Sequence, residues 1–197
     1  MTDKDKHAAP AHQIDMPRIE AAVREILQAI GENTGRAGLK DTPQRVARMY
    51  QELFAGMNDD PAIHCKAIFQ EKYDEMVVVR DIPFHSMCEH HLLPFMGKAH
   101  VAYLPMGRVI GISKIARVVD AFAHRPQVQE RLTNQIADKI MAKLEPRGVA
   151  VILEANHTCM TIRGVKKPGA VMITSAVRGL FKTNPATRAE AMSLLRG

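Results

Sequence analysis

The sequence predicts an α+β fold: an antiparallel sheet with helices on one face, preceded by a helical extension. Three observations carry this. The elements run as two helices, two strands, two helices, two strands and one helix, so strands come in pairs instead of alternating with helices as parallel βα units do. Gly148–Ala155 is rich in Val and Ile and has the length and composition of a buried strand. Val128, Leu132, Ile136, Ile140 and Leu144 recur every four residues, the stripe of an amphipathic helix.

Taken in order, residues 1–16 are polar, charged and aperiodic and read as a tail, with His7 and His12 solvated and not ligands. A helix opens at Pro17, a residue tolerated in the first turn. Ile19, Val23, Ile26, Leu27 and Ile30 share one face of it, and Gly31 ends it. Asp41 or Thr42 caps a second helix with Pro43 just inside; its apolar face is Val46, Met49, Tyr50 and Leu53. Residues 17–66 thus read as a helical region, with a turn at 56–61 and Cys65 in packing. Residues 67–197 hold the main domain.

There, Glu75–Phe84, with Val77, Val78 and Val79, is the first strand, and Phe95–Leu104 the second. Residues 108–112 are a short extended piece. Ser113 caps a helix to about His124 that buries Ile115, Val118, Val119 and Phe122. Pro126 opens the long helix. The strand at 148–155 delivers His157 and Cys159, and Arg163 lies on the next extended piece. Gly169–Ser175 is a strand, and Thr183 or Asn184 caps a last helix, Pro185–Leu195.

Composition narrows the partners. The 27 Lys and Arg against 21 Asp and Glu leave +6, a mildly basic chain that suits an anionic ligand or nucleic acid. It has no Trp and only 5% aromatic residues, few rings for a protein that stacks single-stranded bases. Three cysteines, spaced unlike a disulfide framework, and no apolar signal segment point to a reducing cytoplasm. No run approaches the roughly 18 apolar residues of a membrane-spanning helix.

The chemistry concentrates in two places. Cys88, Glu89, His90 and His91 stand side by side, and a Cys followed three positions later by a His has metal-ligand spacing. The other Cys/His cluster is His157-Thr158-Cys159. Cys88, His91 and Cys159 together make a Cys₂His set with an open fourth position, the arrangement of a catalytic zinc. The bland alternative is two small buried hydrophobes and a solvated His. The histidines left over, His90 and His157, suit acid–base chemistry near neutral pH. Elsewhere two readings stand for each feature. Arg45 and Arg48 form a solvated face or a cationic one. Lys114 and Arg117, at a helix start, are solvated or bind phosphate. Glu130 complements the helix dipole or, with Gln129, reads a base edge.

Four stretches, SMCEHHLLPF (Ser86–Phe95), GISKIARVVD (Gly111–Asp120), RPQVQERLTNQI (Arg125–Ile136) and HTCMTIRG (His157–Gly164), closely resemble GTP cyclohydrolase I. The likeness runs from about Pro17 to the C-terminus. It implies a tunnelling fold: a ββααββ unit whose sheets close into a barrel across subunits, in a homodecamer of two pentamers. It implies hydrolysis of the GTP imidazole ring, a cyclic amidine. Formate is released and the product is 7,8-dihydroneopterin triphosphate, the entry to tetrahydrofolate and pterin biosynthesis. It implies one Zn²⁺ per subunit on Cys88, His91 and Cys159. His90 and His157 are implied as proton donors, and Ser113 lies near the ribose. Glu130 helped by Gln129 reads guanine. Lys114, Arg117 and Arg163 clamp the triphosphate, with Arg45 and Arg48 from a neighbouring subunit. Two other classes compete. A different zinc hydrolase acting on a nucleotide is one, although the deaminase pattern H-x-E with P-C-x-x-C is absent. A zinc-stapled nucleic-acid-binding module is the other, but it would need a fourth ligand.

Overall fold

The computed structural model describes residues 13–66 and 68–196. Positions 1–12, with His7 and His12, lie outside the described residues. Met16, expected in the tail, is already helical: Asp15 takes the N-cap, and its Oδ1 accepts from the Arg18 amide at 3.1 Å. This helix, α1 (Met16–Ala29), packs on α2 (Thr42–Leu53), which opens after Asp41 with Pro43 in its first turn. Two 3₁₀ turns, Ala55–Met57 and Pro61–Lys66, follow where a plain turn was expected.

The main domain opens with β1 (Ile68–Gln70), β2 (Val77–Cys88), β3 (Pro94–Leu104) and β4 (Arg108–Ile110). There follow α3 (Ile112–Ala123), β5 (Pro126–Gln127), α4 (Gln129–Leu144) and β6 (Gly148–His157). A single helical turn, α5 (Thr158–Thr161), precedes β7 (Met172–Gly179), and α6 (Leu180–Thr183) and α7 (Pro185–Arg196) close the chain. The main sheet has the order β5-β2-β3-β6-β7, antiparallel except where β5 joins β2; β1 and β4 form a separate ribbon. Leaving out the short strands, the order is ββααββ.

Strand alternation divides the apolar residues between two faces. Val101, Tyr103, Val149, Val151 and Leu153 face α3 and α4, whose Ile115, Val118, Leu132, Ile136 and Ile140 are all at most 1% exposed. Each such side chain contributes roughly 1.5–3 kcal/mol relative to exposure, so this layer dominates the stability of the domain. The intervening residues, Ala102, Leu104, Ala150 and Ile152, face the other way, toward Phe181, Ala191 and Leu195. The two long helices therefore cover one face, and α7 covers part of the opposite one.

A β-bulge decides which face carries the chemistry. The pairing Val79↔Val101 is followed by Ile82↔Ala99, one extra residue on β2, with Asp81 in the left-handed region at φ 56°. Before the bulge, odd-numbered Val77 and Val79 face the helices; after it, Ile82, Phe84 and Cys88 do. The extra residue thus turns Cys88 inward.

Three local expectations are corrected. Gly111, not Ser113, is the N-cap of α3, and Ser113 lies in its first turn. Pro126 does not open the long helix. Residues 126–127 pair in parallel with Met87 and Cys88, Val128 stays extended, and α4 begins at Gln129. Arg163 follows α5 in a turn and not on a strand.

Candidate active site and metal centre

The site forms where β2, β5, α4 and β6 end together. At the end of β2 the Cys88 carbonyl accepts from the amides of His91 (3.3 Å) and Leu92 (2.8 Å), and the Cys88 amide donates to Leu93 O at 2.9 Å. Leu92 takes φ 51° to close the turn. This folds the His91 ring back onto its neighbour, with Nδ1 3.8 Å from Cys88 Sγ. From β6, α5 adds Cys159, and one ligand atom from each of Cys88, His91 and Cys159 lies within 4.8 Å of the others. A tetrahedral ion with metal–sulfur bonds near 2.3 Å and metal–nitrogen bonds near 2.05 Å has a sulfur–nitrogen edge of about 3.6 Å. The donor set and the spacing fit a divalent metal. Burial first, and the neighbouring Cys88 sulfur second, push the Cys159 thiol up, as befits two thiols that need a cation to ionise side by side.

The turn is tied down on its far side. Glu89 N–H donates to Gln127 O on β5 at 3.0 Å, and its carboxylate takes a two-pronged contact from Arg131 on α4, at 2.5 and 3.0 Å. That guanidinium holds the Glu89 carboxyl below the usual carboxylate range. The clamp escaped the sequence reading; the signal was an acidic residue set between two ligands.

His157 stands at the end of β6, paired across the sheet with Phe95, and the two rings stack at 4.5 Å and 5°. Burial pushes its pKa down, and the Glu130 carboxylate pulls it partly back. Glu130 is exposed in the first turn of α4. Gln129, expected beside it as a base reader, is a correction. Its side chain is 1% exposed, its Nε2 serves Leu153 O, Met172 O and Thr174 Oγ1, and its Oε1 meets His157 Nε2 at 2.8 Å. The amide has no donor left for a ligand.

Sequence profiles of GTP cyclohydrolase I match residues 19–196. The chain belongs to the GTP cyclohydrolase I family. A relative named GTP cyclohydrolase 1 from Carboxydothermus hydrogenoformans is 66% identical over 183 residues, 92% of this chain and 95% of the relative. One of the same name from Pelotomaculum thermopropionicum is 65% identical over 184 residues, 93% and 98% of the two chains. A crystal structure of the archaeosine synthase QueF-Like in the apo form aligns with a TM-score of 0.47 at 21% identity, over 55% of this chain and 97% of its own.

In this GTP cyclohydrolase I family chain the remaining expected residues are dispersed. His90 is exposed, 3.9 Å from Glu89 and edge-on to His91. Ser113 and Arg117 are exposed on α3 with half-buried Lys114 between them. Arg163 Nη1 donates to His91 Nε2. Arg45 pairs with Asp41 at 3.6 Å on α2, where Arg48 is also exposed. Lys114, Arg117 and Arg163 have no carboxylate partner among the described residues.

Proposed function

We propose that the chain hydrolyses the imidazole ring of GTP, releasing formate and forming 7,8-dihydroneopterin triphosphate, the first step of tetrahydrofolate and pterin biosynthesis, with one zinc per subunit. The observation that carries this reading is the meeting of Cys88, His91 and Cys159 in one place, in a chain of this family. Zinc on these three residues supplies a Lewis acid that makes a water-derived nucleophile available near neutral pH. His157, neutral at rest because it is half-buried, and His90 move protons to and from the ring nitrogens as the ring opens. Glu130 accepts from the guanine N–H groups and fixes the base. Ser113 lies along the ribose. Lys114, Arg117 and Arg163, cations without carboxylate partners among the described residues, hold the triphosphate.

Arg45 and Arg48 join that clamp from a neighbouring subunit, in a homodecamer of two pentamers. Two features support association. Among the described residues, β2 pairs along 77–86 only with β3, and β7 only with β6, so both edges of the sheet are open there. Ile26 on α1 and Ile30 just past its end are 60% and 72% exposed. Residues 17–66 serve as an extension to the catalytic domain of 67–197. Among the described residues no helix is long and apolar enough to cross a membrane, and Cys65, Cys88 and Cys159 are free thiols. We place the enzyme in the cytoplasm, with GTP as its partner and no nucleic acid or membrane.

The test is incubation of zinc-loaded protein with GTP. Formate and, after oxidation, pterin fluorescence are expected to rise together. Silence of both with zinc at full occupancy would overturn the reading.

A further inference from the structure

We propose that Gln129 is a positioning residue that holds His157 in a single tautomer, with the proton on Nε2, leaving Nδ1 as the nitrogen offered to the substrate. The inference rests on the functional reading above for the role of His157, but the tautomer itself follows from hydrogen-bond accounting.

Carbonyl oxygens only accept. Leu153 O and Met172 O both lie 3.0 Å from one terminal atom of the Gln129 side chain, so that atom is the NH₂ nitrogen. Thr133 donates its hydroxyl proton to Gln129 O at 2.7 Å, and must therefore accept from Thr174, 2.6 Å away. Thr174 has spent its proton and is left as an acceptor 3.1 Å from Gln129 Nε2, sharing that group's two hydrogens with the two carbonyls. Every step agrees on which end of the amide is which. The opposite end, Oε1, is an acceptor and lies 2.8 Å from His157 Nε2, so that ring nitrogen must donate. Gln129 itself is 1% exposed, so water does not compete for its amide. Stacking on Phe95 fixes the plane of the ring, and the amide fixes its rotation within that plane. Nδ1 makes no hydrogen bond among the described residues. A Glu at this position would set a carboxylate against two carbonyl oxygens, and an Asn would fall one methylene short. The site thus demands a glutamine for reasons other than contact with a ligand.

The deciding experiment is ¹⁵N NMR of zinc-loaded protein labelled at histidine, with the His157 signals assigned by their absence in His157→Asn. Neutral His157 is expected to show a protonated Nε2 and a lone pair on Nδ1. The reverse tautomer, or a mixture, overturns the proposal without any variant at position 129. In Gln129→Met both tautomers are expected to appear. The KM for GTP should stay within about twofold while kcat falls by roughly tenfold to a hundredfold, the size typical of orienting partners. A fall in kcat with the tautomer unchanged would mark the amide as packing alone and also overturn it. If the wild type turns over no GTP, the functional reading fails, and the spectrum still decides the tautomer.

Discussion

The sulfur of Cys88 and Nδ1 of His91 stand 3.8 Å apart, close to the edge of a tetrahedral metal site, although only three positions separate them in the chain. Cys159 reaches the same point from the end of β6, two strands across the sheet from β2. Burial and the neighbouring sulfur hold its thiol above the ordinary value. Binding a cation must therefore displace protons, and apparent metal affinity should fall as pH is lowered. Chelation is expected to abolish GTP turnover, and added zinc to restore it. Cys159→Ser should lose metal and turnover together, by more than the roughly tenfold to hundredfold that outer partners cost. Zinc content by elemental analysis beside the formate assay checks this; normal zinc with full turnover would remove Cys159 from the site.

Glu89 and Arg131 are the outer support of the turn between the ligands. Both are substantially exposed, so their contribution to global stability is small. Their effect should fall on the metal instead. Arg131→Ala is expected to weaken zinc binding by about tenfold with little change in melting temperature. Arg131→Lys should not rescue it, because an ammonium cannot make the two-pronged contact. Competition with a chromophoric chelator measures the affinity directly.

These two arrangements differ in how readable they were from the sequence. The clustering of Cys88, His91 and Cys159 was legible because Cys and His are rare and metal chemistry demands those types. The helices were legible from period alone: Leu132, Ile136, Ile140 and Leu144 are all buried as the pattern says. The bulge at Asp81 was not, because a one-residue slip between two apolar runs leaves no mark in composition. The two-residue strand at Pro126 was misread as a helix start, since its partner, Met87–Cys88, lies about forty positions away. Gln129 was misassigned for the same reason. Its partners Leu153, Met172 and Thr174 come from β6 and the start of β7, and only the folded sheet reveals that its amide is fully used.

Gly97 on β3 pairs with Ala155 on β6, two residues from the Phe95–His157 stack. A Cβ there would lie 1.8 Å from Glu154 O and 2.7 Å from Ala155 Cα, both backbone atoms that cannot move without parting the strands. Gly97→Ala should cost at least the roughly 3 kcal/mol at the upper end of overpacking. That lowers the melting temperature by about 6 °C or more. Thermal unfolding followed by circular dichroism tests this, and an unchanged midpoint would mean that the strands separate freely.

His124 sets a pH dependence of stability distinct from that of the metal. Its ring lies 4.8 Å from that of His85, and it shares a hollow of about 400 Å³ with Asp59, His64, Arg117 and Asp120. Burial first, then His85, pushes its pKa down, while Asp120 and Glu52 pull it up. A histidine depressed in the folded state keeps its full stability above the unfolded value of about 6.5, and that stability is lost as pH falls below it. Burial raises Asp120, so its folded form prefers the proton and works in the opposite direction, in a window that starts from the ordinary carboxylate range. Between about pH 7.5 and about pH 5.5 stability should decline, with His124 and the likewise depressed His157 both contributing. His124→Gln should lessen that decline while leaving metal content unchanged. Urea midpoints at the two pH values, wild type against variant, measure it; an equal decline in both proteins would assign the dependence to other groups.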